Sequence, residues 1–392
     1  MGGAVRARPL IGVDARKLRD FGIGTYIRHL LEAIGRREES RRYRFRIYVR
    51  KADREVLTAM PDHFEIVTED SPGYSLSELT RFAWRLWRDR LDLFHATHYV
   101  LPPLWKSRAV VTIHDIIHVL YPQFLPSRGA HLYARLMIRR SLDRADRIIT
   151  VSYNSKRDLT DYFRVPSRRI EVIYNGVSPL FRPDVSREQR EQVALKYRLP
   201  SPYLLFLGGE KPHKNVQNVL RAFAQARRKR DLPHVLVLAG PMPKNRARLD
   251  ALISALDIQT SVFETGVVEE QDLPGLYAGA DAFLYPTLYE GFGLPVVEAM
   301  ACGTPVLTSS TSALQEIAGG YAYLVDPMDV DAITGGIVVL TTDSKVREDF
   351  RELGRKRALD FNWDKAAEKT LEVYAAALHG TRDGGRGTRN PE

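Results

Sequence analysis

Short β-branched, apolar runs alternate with stretches of helical period from about residue 9, and the series begins afresh near residue 202. Strands spaced this way cannot pair through tight hairpins. Each needs a crossover to reach its neighbour, which builds a parallel sheet with helices on both faces. In the first series "PLIGVDA", "YRFRIYVR", "LDLFHATH", "AVVTIHD", "DRIITVS" and "RIEVIYNGV" read as strands, with helices at "GTYIRHLLEAIGR", "LTRFAWRLWRDR", "LYARLMIRRSLDRA" and "SKRDLTDYF". In the second, "PYLLFLGG", "HVLVLAGP", "SVFETGVV" and "DAFLYPT" are strands between helices, followed by "TPVLTSS", "ALQEIAG", "AYLVDP" and a helix from about Asp329. The turn-rich residues 175–189 separate the two series. The expected fold is α/β: two doubly wound, Rossmann-like domains, residues 1–185 and 186–362, facing each other across a cleft. Ligands in such sheets sit at the carboxyl ends of strands, so the site belongs in the loops that face the cleft.

A length of 392 residues suits two domains. The single cysteine, Cys302, excludes an internal disulfide and a cysteine-built metal site. No apolar run approaches the ~20 residues of a membrane span. The opening "MGGAVRARPLIGVD" lacks the apolar core of a signal peptide, and Arg6 breaks the myristoylation pattern, so the expected location is cytoplasmic. The net charge of +10 is lopsided: residues 1–190 carry +13 and the remainder −3. A basic first half suits nucleic acid, anionic lipid or a phosphorylated substrate, and composition does not choose among them.

The sharpest local signal is "LYEGFGLPVVEAMACGTPVLTSS", residues 288–310. Glu290 lies in a strand-to-helix loop, and Glu298 is expected in the first turn of a helix that starts at Pro295 and ends at Gly303. Gly291 and Gly293 permit close backbone approach to a ligand, and the helix N-terminus behind them suits an anion or a row of hydroxyls. A plainer reading has Glu298 complementing the helix dipole and Glu290 capping a turn.

The E-x7-E of this stretch resembles the retaining glycosyltransferases of family 4, whose GT-B fold is two facing Rossmann-like domains, and the resemblance extends over about residues 9–378. It implies that Glu290 meets the donor sugar, that Glu298 binds the nucleotide ribose, and that the amides of Gly291, Phe292, Gly293 and Leu294 meet sugar and phosphate oxygens. "LFLGGEKPHKNVQNVLRAF" is similar to the family's phosphate-binding segment, with Lys214 neutralising the diphosphate. Many members carry an arginine where this chain has Gly209, leaving Lys211 or His213 to compensate. "DFGIGTYIRHLL" resembles the N-terminal glycine loop, with Gly22 and Gly24 before a helix. "VVTIHDIIHVLYPQ" resembles the histidine-bearing loop, which puts His114 near the anomeric centre and leaves Asp115 as a loop cap. Gly266 and Val267 fall where the nucleobase lies. "FNWDKAAEKTLEVYAAAL" resembles the last helix, residues 363–380, which crosses back onto the first domain. Residues 381–392 read as a disordered tail.

The resemblance implies retention of anomeric configuration, a nucleotide-sugar donor (GDP-sugar or UDP-sugar) and no metal or cofactor requirement. "EKPHKN" leans toward members that use GDP-mannose in surface-polysaccharide synthesis. A metal reading would instead gather His95, His98, His114, Asp115 and His118, or use "DVD" at residues 329–331, where Asp329 reads better as a helix N-cap. The acceptor, a saccharide or a lipid-linked saccharide, belongs to the basic half. There Trp84 and Trp87 stand among Arg81, Arg85, Arg88 and Arg90, with Arg135, Arg139 and Arg140 further on. Such helices can lie on the inner face of an anionic membrane, or else bury their tryptophans as core. Two other readings are a sugar-nucleotide epimerase on the same fold and a nucleic-acid binder, although no recognition motif for nucleic acid is present.

Overall fold

The two series of strands become two sheets. In this computed structural model residues 8–57, 59–71, 78–102, 105–125, 127–209, 211–241 and 246–380 are described. The first sheet contains β1 (Leu10–Asp14), β2 (Arg44–Val49), β3 (Phe64–Thr68), β4 (Leu93–Ala96), β5 (Arg108–Ile113), β6 (Arg147–Thr150) and β7 (Ile170–Val172). The second contains β8 (Tyr203–Leu207), β9 (Val235–Ala239), β10 (Val262–Gly266), β11 (Ala282–Tyr285), β12 (Val306–Ser309) and β13 (Tyr323–Val325). Every pairing is parallel, in the orders β3-β2-β1-β4-β5-β6-β7 and β10-β9-β8-β11-β12-β13.

Each sheet is apolar on both faces, so each carries two core clusters, one under each helix layer. Each strand order also reverses direction once, beside β1 and β4 in the first sheet and beside β8 and β11 in the second. Loops diverge at such a point and leave a crevice. Gly22 follows β1 and His114 follows β5, while Lys214 follows β8 and Glu290 follows β11. Gly22, Lys214 and Glu290 therefore follow strands that border the reversals, while His114 follows β5, one strand further out, and Gly266 ends the edge strand β10.

Several elements differ from expectation. Strand β3 was not among the expected strands, because "FEIVT" alternates a charge with apolar residues at a sheet edge. The helix Arg187–Tyr197 begins inside the expected link. The helix expected from Asp329 is two helices, Val330–Thr342 and Ser344–Ala358. Asp343 separates them, its carboxylate accepting from the amides of Lys345 and Val346 at 3.0 Å each. Asp329 is an N-cap, accepting from Asp331 and Ala332. The expected tail, residues 381–392, lies outside the described residues.

The last helix, Trp363–His379, leaves the second sheet and packs against the helix Phe21–Arg36 and strands β4 and β5 of the first. A buried polar chain fixes it there. The Tyr374 hydroxyl is 2.7 Å from His95 Nδ1, His95 Nε2 is 2.8 Å from Thr112 Oγ1, and Thr112 is 3.0 Å from the Tyr26 hydroxyl. Burial drives His95 down to about 3, so the ring stays neutral and bridges two hydroxyls. His95 is thereby a core residue and not a metal ligand. Where the chain returns, Gly176 meets Trp363 so closely that a Cβ would lie 2.3 Å from the Trp363 nitrogen. Replacing Tyr374 by Phe keeps the ring and strands His95 Nδ1. We expect that to cost roughly 1–3 kcal/mol of unfolding free energy in a denaturant titration; an unchanged midpoint would show the chain of hydroxyls to be idle.

Candidate functional site

The site is built outward from the end of β11. Tyr285 closes that strand, and its hydroxyl donates to Glu290 Oε1 at 3.1 Å. Lys214 Nζ donates to the same oxygen at 2.7 Å, bonds the Tyr285 hydroxyl, and lies 4.7 Å above the Tyr285 ring. The Lys214 turn is held by Asn215, whose φ is 65° and whose side-chain amide donates to the carbonyls of Pro286 and Pro327 at 2.9 and 2.7 Å. The Glu290 amide donates to Ser312 Oγ at 3.2 Å. Lysine and glutamate thus sit paired on the two loops that flank the crevice of the second sheet.

The helix behind Glu290 runs Leu294–Ala301, with Gly293 as an N-cap at φ 99° and no side chain capping it. Pro295 is its second residue, and Glu298 lies in the second turn, not the first. Gly303, at φ 73°, follows the helix as expected. Glu298 is half-buried and accepts from the Tyr277 hydroxyl at 3.0 Å. Burial raises its carboxyl to about 7, against the lowering effect of that bond and with help from Glu270.

Gly291 and Gly293 are each required by packing. A Cβ at 291 would lie 2.4 Å from the His114 carbonyl oxygen, and one at 293 would lie 2.4 Å from Leu314. At Gly291 the neighbour belongs to the first sheet's unit. The contact delivers His114 to the crevice. His114 Nε2 is 3.0 Å from the Thr97 carbonyl, which can only accept, so Nε2 carries the proton and Nδ1 is left as an acceptor. Burial brings His114 down to about 4, the nearby Lys17 adding to the effect. Asp115 Oδ1 accepts from the Ile117 amide at 2.9 Å, the loop-capping role expected of it.

Gly22 and Gly24 lie inside the first turn of the helix Phe21–Arg36, not before it. Gly22 is exposed, and a Cβ there would be 3.8 Å from Leu294, so it faces the Glu290 loop across the cleft. Gly24 is buried with the Leu18 carbonyl 2.1 Å from where its Cβ would be, which makes it a packing glycine. Gly266 has φ 69° and open space around it, beside Val267, which is 70% exposed. An apolar side chain next to bare backbone is a fit platform for a flat ring. Phe292 is buried in core against Tyr174 and Phe361 and offers only its backbone.

Gly209 has no room for the arginine that the family resemblance implies at this position. Its φ is 62°, and a Cβ would lie 2.4 Å from the Pro241 carbonyl oxygen. Burial and the neighbouring lysines hold His213 down at about 4, so it brings no positive charge at neutral pH. Lys211 does, with Nζ 5.3 Å over the ring of Phe21 from the opposite wall. Tyr285, Tyr277, Ser312 and Lys17 were not singled out from sequence, because each sits in an ordinary strand, helix or loop pattern. Among the described residues no group of three or more His, Cys, Asp or Glu could hold a metal ion.

Comparisons with known proteins agree with this geometry. Residues 187–357 match the family model described as glycosyl transferases group 1, and residues 22–179 match that of glycosyltransferase family 4. The O-antigen chain mannosyltransferase B of Escherichia coli is 34% identical over 304 residues, 77% of this chain and 79% of that one. An MMP alpha-(1->4)-mannosyltransferase of Mycolicibacterium hassiacum is 33% identical over 59% of this chain and 54% of its own. Among solved structures, the sucrose-phosphate synthase of Thermosynechococcus elongatus superposes with a TM-score of 0.75 at 23% identity, over 95% of this chain and all of that one. HepE of Anabaena, in complex with UDP and glucose, gives 0.75 at 18% identity over 94% of this chain and all of its own.

The raised Glu298 carboxyl has a measurable consequence. Between about pH 4.5, its ordinary value, and about pH 7, the folded state binds a proton that the unfolded state has released. Stability from this group is therefore full below pH 4.5 and is lost as pH rises through 7. Glu298→Gln removes the titration, so its stability relative to wild type should climb between pH 5 and 8 by up to roughly 3 kcal/mol. Parallel pH profiles would mean that Glu298 titrates normally.

Proposed function

The chain belongs to the glycosyltransferases of family 4, and we propose that it transfers a sugar with retention, forming an α-linkage, from a nucleotide-sugar donor to a saccharide or lipid-linked saccharide. GDP-mannose is the donor we favour, because the two relatives above are named mannosyltransferases. The observation that carries the reading is the Lys214–Glu290–Tyr285 cluster at the crevice of the second sheet, with His114 brought against it from the first.

The roles follow from charge and hydrogen-bonding capacity. A diphosphate takes Lys214, with Lys211 adding positive charge at the mouth, and gains charge as the glycosidic bond breaks. Glu290, released from Lys214, accepts from sugar hydroxyls. His114 Nδ1 accepts from another hydroxyl and stays neutral above about pH 5. Glu298 accepts from the ribose, and the base stacks beside Gly266 and Val267. Residues 186–362 act as the donor domain and residues 1–185 as the acceptor domain. The sugar carbon passes through an oxocarbenium-like state. The bond to the diphosphate oxygen breaks, the acceptor oxygen bonds on the same face, and its proton goes to the leaving diphosphate.

The acceptor side has its own observation. Trp84 and Trp87 are not core: they are 55% and 72% exposed on the helix Ala83–Arg88, beside Arg85 and Arg88. Leu132 and Leu136 are exposed beside Arg135 and Arg139 on the helix Arg128–Arg144. Both helices bury their other faces in one core cluster, so these residues project from the same side of the first sheet. We propose that this side rests on an anionic membrane surface. Among the described residues no helix is long and apolar enough to cross one.

A thermal-shift and calorimetry panel of GDP, UDP, ADP and their sugars should give one nucleotide family that stabilises the protein. Glu298→Ala should lose that shift, and Lys214→Met should lower transfer at least 100-fold, about 3 kcal/mol in barrier. A protein that no nucleotide stabilises would overturn the donor reading, and an inverted product seen by NMR would overturn retention. In flotation assays, vesicles rich in anionic phospholipid should carry the wild type upward. Trp84→Ser with Trp87→Ser should lower the bound fraction at least fivefold, and a wild type that stays at the bottom ends the membrane reading.

A further inference from the structure

The helix Tyr153–Phe163 covers the first sheet, yet its first turns are held from the second. Glu316, in the helix Ser312–Ala318, accepts the Tyr153 amide at 2.8 Å and the Asn154 amide at 2.9 Å, one on each carboxylate oxygen. Ser155 Oγ lies 3.0 Å from the His114 carbonyl and 3.4 Å from the Gly291 carbonyl. The Tyr289 hydroxyl donates to Asp158 at 2.6 Å, where Asn154 also donates at 3.0 Å. Tyr289 and Gly291 are the two chain neighbours of Glu290. The Glu290 amide and carbonyl are in turn bonded to Ser312 and Ala313, which open the Glu316 helix, at 3.2 and 3.4 Å.

Folding of the helix Tyr153–Phe163 does not call for Glu316. Its own Ser152 is the N-cap, accepting the Ser155 amide at 3.0 Å. That leaves the Tyr153 and Asn154 amides to be met by water if the two units part and by Glu316 when they meet. A carboxylate on two amides at a helix N-terminus is a directional, charge-assisted contact, strong enough to set register and weak enough to break. Burial and the nearby Glu316 carboxylate also raise the phenol of Tyr174, in the segment where the chain first crosses between the units.

We propose that Glu316 is a positioning residue for the transfer reaction: by docking across the cleft on the helix Tyr153–Phe163, it sets the loop carrying Glu290 against the loop carrying His114, so that both reach one donor sugar. Tyr289 with Asp158 fixes the same register from the other side of Glu290. The nucleotide end of the donor is held by Lys214 and Glu298, which belong to the second unit alone. Glu316 therefore acts on turnover and not on nucleotide affinity. The inference rests on the transfer reading above.

The test compares wild type with Glu316→Gln and with Tyr289→Phe, using GDP and UDP as calorimetric probes and the sugar nucleotide that wild type turns over as substrate. Glu316→Gln should bind the nucleoside diphosphate within about twofold of wild type, keep its donor KM within about threefold, and lose at least tenfold in kcat. Small-angle scattering should show a larger radius of gyration with donor bound. Tyr289→Phe, which keeps its ring against Tyr121, should show the same split in a milder form and carries the test if Glu316→Gln does not fold. Unchanged kcat in either folded variant, or a nucleotide affinity that falls as far as kcat, overturns the role. A wild type that binds neither nucleotide and transfers no sugar overturns the transfer reading itself, and this role with it.

Discussion

The site depends on one contact between backbones, that of Gly291 with the His114 carbonyl. No other residue allows it, because a Cβ at position 291 would stand 2.4 Å from that oxygen. Through it a loop after β5 of one sheet and a loop after β11 of the other share a wall. Tyr289, Ser155 and Asp158 close the surrounding seam with hydrogen bonds. Rossmann-like units each make a crevice at the reversal of their strand order, but a half-crevice can grip only one end of a two-part ligand. Joining two of them at a glycine creates a cleft whose chemistry is divided: Lys214 and two glutamates on one wall, the neutral imidazole of His114 on the other.

Burial sets the charge state of that cleft. Glu298 is raised to about 7, and His114 and His213 are lowered to about 4, all chiefly by loss of solvent. Burial drives these three groups toward neutrality, while Lys214 and Glu290 are paired at 2.7 Å. Such a pair breaks only when something replaces both partners. A diphosphate offers the anion that Lys214 needs, and sugar hydroxyls offer the donors that Glu290 needs. Tyr285 is bonded to both members of the pair. Lys214 and Glu290 thus offer each other what the proposed diphosphate and sugar hydroxyls would offer them.

The alternation of apolar strands and amphipathic helices made the double parallel sheet legible, since period and length carry that information. The spacing E-x7-E made Glu290 and Glu298 legible, and their loops lie where the strand order said they would. Three kinds of feature were not legible. Glu298 falls one residue deeper, into the second turn, because Leu294 and not Pro295 opens its helix, a boundary that propensity does not fix. The tryptophans of "FAWRLWR" were ambiguous between core and surface, since a six-residue helix has no settled period; Phe82 and Leu86 take the core and leave Trp84 and Trp87 outside. Glu316 and Ser155 gave no signal because their cross-cleft partners are far away in sequence, and Tyr285 gave none because a tyrosine ending a buried strand is an ordinary pattern.

That last failure has a physical pattern. A residue whose partner lies within a turn or two leaves a spacing, as Asp115 with Ile117 and Asp343 with Lys345 do. A residue that acts across the cleft leaves none; Glu316 meets amides more than 160 positions away, amides that carry no side-chain identity. Gly291 escapes this only because the residue its cleft contact requires is a glycine standing next to Glu290 in the sequence. The residues hardest to find from sequence are then the ones that join the two units. On the proposed reading, those same residues decide whether a donor held on one wall meets the group that acts on it from the other.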